Sequence, residues 1–89
     1  MQIDTNYYID NNETRIWIDS NNNYHRIDGP AVERANGTKH WYIYGQLHRT
    51  DGPAVEWADG TKEWWFKGKQ ISKEEYYSKD FQVKIVMES

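Results

Sequence analysis

Apolar and polar side chains alternate with a period of two through short runs of this chain, and each run stops at a turn signal after four to six residues. That spacing predicts strands. Ala31 to Ala35 and Ala54 to Ala58 read as short extended runs, and Thr38 to Ile43 and Thr61 to Phe66 as their return strands, dense in β-branched and aromatic residues. Alternation places Val32, Trp41 and Ile43 on one face with Val55, Trp57, Trp64 and Phe66. The opposite face then carries Glu33, His40 and Tyr42, followed by Glu56, Glu63 and Trp65. Nearer the start, Ile9, Ile16 and Ile18 make that second face more apolar, which predicts a cover for it.

The turn residues divide these runs into hairpins. Asn36-Gly37 and Asp59-Gly60 are the strongest signals for a two-residue type I′ turn, whose two central residues both need positive φ. Gly45 and Gly68 mark the next reversals. Asp28-Gly29-Pro30 and Asp51-Gly52-Pro53 precede each new strand, where proline fixes φ and removes a ladder donor.

The hairpins repeat. Tyr24 to Gln46 aligns without gaps on Leu47 to Lys69, and fourteen of the twenty-three positions are identical. A degenerate half repeat over 7–23 precedes them: Tyr7, Tyr8, Asn12, Thr14, Arg15 and Trp17 fall on the register of Ala31, Val32, Asn36, Thr38, Lys39 and Trp41. The tail, 71–89, changes character. Ser72 followed by Glu75 fits a capping box, with Ile71 set to staple onto Tyr76. The tail is therefore expected to form a helix from Lys73 to about Asp80, a last strand over Gln82 to Met87, and a cap on the open sheet. The whole is a single mainly β domain over 1–89: an antiparallel β-hairpin repeat sheet with a short C-terminal helix and a terminal strand.

Composition refines this. With 89 residues, 37% hydrophobic residues and a single leucine, Leu47, the chain cannot build a leucine-packed helix bundle. Its five tryptophans and seven tyrosines also separate it from disordered chains, so its apolar content sits in a few large amphipathic rings. The net charge of -3 lies within residues 1 to 23, where Asp4, Asp10, Glu13 and Asp19 oppose Arg15 alone. That lacks the basic stripe of a general nucleic-acid binder. There is no cysteine, no membrane-length apolar run, and at Met1 to Tyr8 no basic and apolar leader pattern. A cytoplasmic location, without membrane partners, is the expectation.

The polar set most suggestive of chemistry is His25, Arg26 and Asp28, repeated as His48, Arg49 and Asp51. Equivalent residues two strands apart are separated by roughly 10 Å, too far for two ligands that each sit about 2 Å from one zinc ion. A motif copied in successive units serves the unit more readily than an active site, so no catalytic residue, metal ligand or cofactor is assigned. Trp41 and Trp64 occupy equivalent positions and are expected in the core. Trp57 and Trp65 replace Arg34 and Tyr42 of the preceding unit, so the repeat does not require them, and large unit-specific aromatics are interface candidates. The binding candidates are Trp57, Trp65, Tyr42 and Tyr44, with Arg26, Arg49, His25, His48, Tyr76 and Tyr77 beside them.

From Trp41 to Trp64 the chain reads W-x-x-x-G-x-x-H-R-x-D-G-P-A-x-E-x-x-D-G-T-x-x-W, which resembles the MORN repeat, also a 23-residue hairpin unit. It differs in placing Asp-Gly-Pro where a MORN unit has Gly-x-Gly and Trp64 where MORN has tyrosine. It is more similar still to short proteins of tailed phages and large viruses that carry the His-Arg-x-Asp-Gly-Pro-Ala version. The resemblance covers roughly residues 7 to 80 and implies a scaffold or dimerisation surface. It also implies a phage-encoded binding protein that blocks a host protein, such as a component of antiviral defence. Two alternatives stand beside this: a nucleotide-sequestering protein using aromatic stacking with Arg26, Arg49, Lys62 or Lys67 on phosphate, and a self-associating assembly module, in which a homodimer would form.

Overall fold

A computed structural model describes residues 5–88. The strands are β1 (Asn6–Ile9), β2 (Arg15–Ile18), β3 (Val32–Glu33), β4 (Lys39–His40), β5 (Tyr42–Ile43), β6 (Gln46–Leu47), β7 (Val55–Glu56), β8 (Lys62–Phe66) and β9 (Lys69–Ile71), followed by helices α1 (Lys73–Tyr76) and α2 (Lys79–Glu88). Seven strands form an antiparallel sheet in the order β1-β2-β3-β4-β7-β8-β9, and β5 pairs with β6 separately. The fold is mainly antiparallel β with a helical C-terminus.

The return run from Thr38 to Ile43 is divided at Trp41. Its first part, β4, lies between β3 and β7 in the large sheet, whereas β5 turns back on β6. Trp41 itself bonds both ways: its N–H donates to Ala54 O at 2.7 Å and its carbonyl accepts from His48 N–H at 3.1 Å. Trp17 is held the same way one unit earlier, between Ala31 O and His25 N–H. The first full unit thus adds two strands to the large sheet and a separate small hairpin beyond the tryptophan, whereas in the second unit β8 runs on through Trp64 and its hairpin with β9 stays in the large sheet.

The two kinds of turn are exchanged relative to expectation. At the Asn36-Gly37 corner only the glycine is left-handed, with φ 98°, and the carbonyl of Arg34 accepts from Gly37 N–H at 3.0 Å. This is a three-residue loop, a type I turn followed by a left-handed glycine. Asn36 Oδ1 accepts from Thr38 N–H at 2.9 Å, as Asp59 Oδ1 does from Thr61 N–H, and this local bond holds the corner shut. The two-residue turns with both central φ positive are Tyr44-Gly45, at 48° and 84°, and Lys67-Gly68, at 52° and 83°.

That exchange moves the register by one residue and inverts the expected faces. Val32 pairs with His40, His40 with Val55, and Val55 with Glu63, so these residues share a face with Ile16. Ile9 pairs with Arg15 and lies on the opposite face from Ile16.

Among the described residues the tail ends in a helix that runs to Glu88. Gln82 to Met87, expected as a strand, lies within α2 because Phe81 and Ile85, four apart, are both buried in the core. Ser78 starts this second helix, its Oγ accepting from Phe81 N–H at 3.2 Å. Ser72 Oγ accepts from Glu75 N–H at 3.1 Å to start α1. The core proper is Phe66, Ile71, Tyr76, Phe81 and Ile85, with Trp64 packed against it. The tail therefore covers the β8-β9 end and leaves Ile9 at the other end 55% exposed, so the cover expected there is not the tail.

Candidate functional site

The repeated His-Arg-x-Asp-Gly-Pro segment folds around its arginine. Arg49 Nε donates to Asp51 Oδ1 at 2.8 Å, and Nη1 donates to Pro53 O at 2.9 Å and Glu56 Oε2 at 3.1 Å. Its guanidinium carbon lies 3.9 Å from the centroid of the Trp41 ring, which belongs to the preceding unit. Arg26 repeats the arrangement on Trp17, again at 3.9 Å, with Asp28, Pro30 O and Glu33 as acceptors. A Cβ on Gly52 would meet Arg49 Cζ at 3.0 Å, and one on Gly29 would meet Arg26 Cζ at 2.9 Å. Glycine is needed in the motif because the guanidinium is sandwiched between an indole and the bare backbone.

The histidines brace the small hairpins. His25 Nδ1 accepts from Tyr44 N–H and His48 Nδ1 from Lys67 N–H, both at 2.9 Å, so each histidine holds the first residue of a left-handed pair. The rings add to this: His25 stacks on Tyr44 with centroids 4.2 Å apart, and His48 lies 4.7 Å from Phe66. Burial first, and the Lys67 charge second, push the His48 pKa below its ordinary value of 6.5, which keeps Nδ1 available as an acceptor.

Between the two arginine loops lies an open groove of about 880 Å³. Pro30, Trp41 and Ile43 contribute its apolar lining, and Ile27 and Tyr44 stand beside them at 83% and 64% exposure. Arg26, Arg49 and His48 also line it, and Lys67 and Glu88, paired at 3.6 Å, lie at its margin. Four of the sequence candidates, Arg26, Arg49, His48 and Tyr44, are brought together here. His25 supports the groove through Tyr44.

A second cluster gathers Tyr42, Trp57 and Trp65. Glu63 accepts from the indole N–H groups of both tryptophans, at 2.7 Å from Trp57 and 2.9 Å from Trp65. His40 lies edge-on to Trp57 at 5.5 Å and tilted to Tyr42 at 6.4 Å, and Tyr24 continues the row at 5.1 Å from Tyr42. The His40 pKa is lowered by burial and by Arg34, against the opposing pull of Glu63, and its buried Nε2 has no hydrogen-bond partner. The unit-specific tryptophans are thus tied to each other by one carboxylate, and Trp57 remains 41% exposed.

Two candidates are placed differently from expectation. Tyr76 is 1% exposed, and its hydroxyl donates to Arg49 O at 2.6 Å, so it is a core residue that anchors the helix to the second arginine loop. Tyr77 is exposed, but its hydroxyl accepts from Trp64 Nε1 at 3.1 Å and belongs to the cap. Sequence reasoning passed over Ile27, His40 and Glu63. Ile27 carried the same signal that singled out Trp57, since it replaces a polar residue, Thr50, of the other unit. Glu63 and His40 became legible only with the register.

Among the described residues no group of three or more His, Asp or Glu side chains is arranged to hold a metal ion. No family model, curated protein or solved structure matches this chain.

Proposed function

We propose that this chain is a non-catalytic binding protein that holds a protein partner in the groove between its two arginine loops. The observation that carries the reading is the contrast within that groove. The motif's arginines are engaged by the fold, whereas Ile27 and Tyr44 extend apolar surface into water beside Trp41 and Ile43. Exposed apolar surface rimmed by polar groups marks interaction sites. In this reading the partner is a host protein, blocked by occupancy, which is the role implied by the resemblance of the His-Arg-x-Asp-Gly-Pro-Ala unit to small viral proteins. The nucleotide reading draws less support, because Arg26 and Arg49 are each held by two carboxylates rather than free for phosphate.

Tagged wild-type chain, Ile27→Ser and Trp57→Ala serve as baits in host lysate. A partner retained by wild type and by Trp57→Ala but lost with Ile27→Ser is the expected result. A partner that follows Trp57 instead moves the site to the second cluster, and no partner at micromolar bait overturns the reading.

Self-association is a second reading, favoured by β1. Among the described residues this strand pairs only with β2, and Asn6 to Ile9 has no charged residue to discourage edge pairing. Light scattering across a hundredfold concentration range, with Tyr8→Lys as the control, tests it. A monomer throughout removes this reading.

A further inference from the structure

We infer that the groove's partner is a cationic extended segment, with basic residues three apart and an apolar residue between them. This rests on the groove being the binding site. Three cations line it, Arg26, Arg49 and Lys67, against three carboxylates, Asp28, Asp51 and Glu88. The formal charges balance, but the arginine side chains are only 24% and 20% exposed, so the charge the two loops present to water is that of their aspartates. The two carboxylates nearest water are also equivalent by repeat, since the Asp28 and Asp51 side chains are 86% and 82% exposed. Each spends Oδ1 on an arginine Nε, leaving acceptor capacity that faces outward.

Spacing supplies the second half of the argument. Successive units are two strands apart, so Asp28 and Asp51 recur at roughly 10 Å, taking about 4.8 Å for each strand. A polyproline-II segment has three residues per turn and rises about 3.1 Å per residue, which returns side chains to one edge every 9 Å or so. Basic residues at i and i+3 then meet the two aspartates, while a residue between them turns toward Trp41 and Ile43. Aromatic-lined grooves take such segments because little ordering entropy is lost.

The test is selection of a displayed library of random twelve-residue peptides against the immobilised full chain. The expected result is enrichment of basic-x-x-basic peptides carrying an apolar residue between. Their affinity should fall by about tenfold in Asp28→Asn/Asp51→Asn, in line with two partly exposed ion pairs, and should weaken with added salt. Asparagine keeps an oxygen for the arginine Nε, and circular dichroism shows that the variant is folded. Enriched peptides that are neutral or acidic yet lose binding with Ile27→Ser overturn the cationic partner and keep the groove. No enrichment against wild type overturns both. A nucleotide panel that raises the melting temperature of wild type but not of Ile27→Ser also overturns the proposal.

Discussion

At the scale of single residues, the arginine sandwich explains why Arg, Asp, Gly, Pro and Glu recur together. Arg49 touches Asp51, Pro53 and Glu56 by hydrogen bonds, Trp41 by its face, and Gly52 by close approach. Two glycines of the same unit consequently fail for different reasons. Gly52→Ala forces the guanidinium off Trp41, with an expected loss of about 1 to 3 kcal/mol typical of overpacking and a change in tryptophan fluorescence. Gly60→Ala meets nothing within 4 Å, but its φ of 93° strains an alanine, so a loss of about 1 kcal/mol is expected without a change in fluorescence. Urea unfolding followed by fluorescence separates them, and equal spectra for the two variants would contradict the sandwich. Sequence reasoning recognised this motif as serving its unit, because a copied constellation has no asymmetry to offer catalysis. It could not see that the stacking partner belongs to the preceding unit, since the nine residues from Trp17 to Arg26 and the eight from Trp41 to Arg49 carry no local signature of contact.

At the scale of elements, hairpins were legible and their corners were not. Asn-Gly and Asp-Gly suit both a two-residue loop and a three-residue loop, and the side-chain bond from Asn36 or Asp59 decides for the longer one. Tyr44-Gly45 and Lys67-Gly68 lack an asparagine to announce the tighter turn, and histidines nineteen residues away hold them instead. One residue of register separates the two versions, enough to move His40 and Glu63 from the expected solvent face to the face of Val32 and Val55. The helices show the complementary case. Ser72 was legible through its capping box, whereas Ser78 was hidden because Val83 and Val86 favour strand, and the four-residue spacing of Phe81 and Ile85 prevails only once Phe66 is there to pack on. Removing the Ser72 hydroxyl leaves Glu75 N–H without its acceptor. Ser72→Ala is expected to cost about 1 kcal/mol in chemical denaturation, and no change would show that the first helix contributes nothing to the cap.

At the scale of the whole molecule, histidine and carboxylate titrations act in the same direction. His40 and His48 both titrate below their ordinary 6.5 in the folded chain, so the unfolded chain binds more protons in that window. Their contribution is complete above about pH 6.5 and is lost as pH falls through the lower folded values. Asp19 and Asp59 repeat the pattern below 3.8. Desolvation at Asp19 is outweighed by N–H donors from Asn23 and Asn21, and Asp59 is held down by Thr61 N–H, so both are lost in turn as pH drops further. Denaturation midpoints should therefore decline from pH 7.5 to 5, and His48→Gln should flatten that decline. A midpoint that rises on acidification would contradict the assignment. The tail that closes the molecule occupies the place where another unit would begin: Ile71 stands at the position of His48, Ser72 at that of Arg49, and Lys73 Nζ reaches to 5.8 Å from the Trp64 ring. Because each arginine rests on the tryptophan of the unit before it, every unit carries its own coupling to its predecessor and leaves an indole for its successor. Such a chain can lengthen by tandem duplication of its coding sequence between Lys69 and Gln70 without inventing any new contact, and the spacing of exposed aspartates along its rim would grow by the same increment.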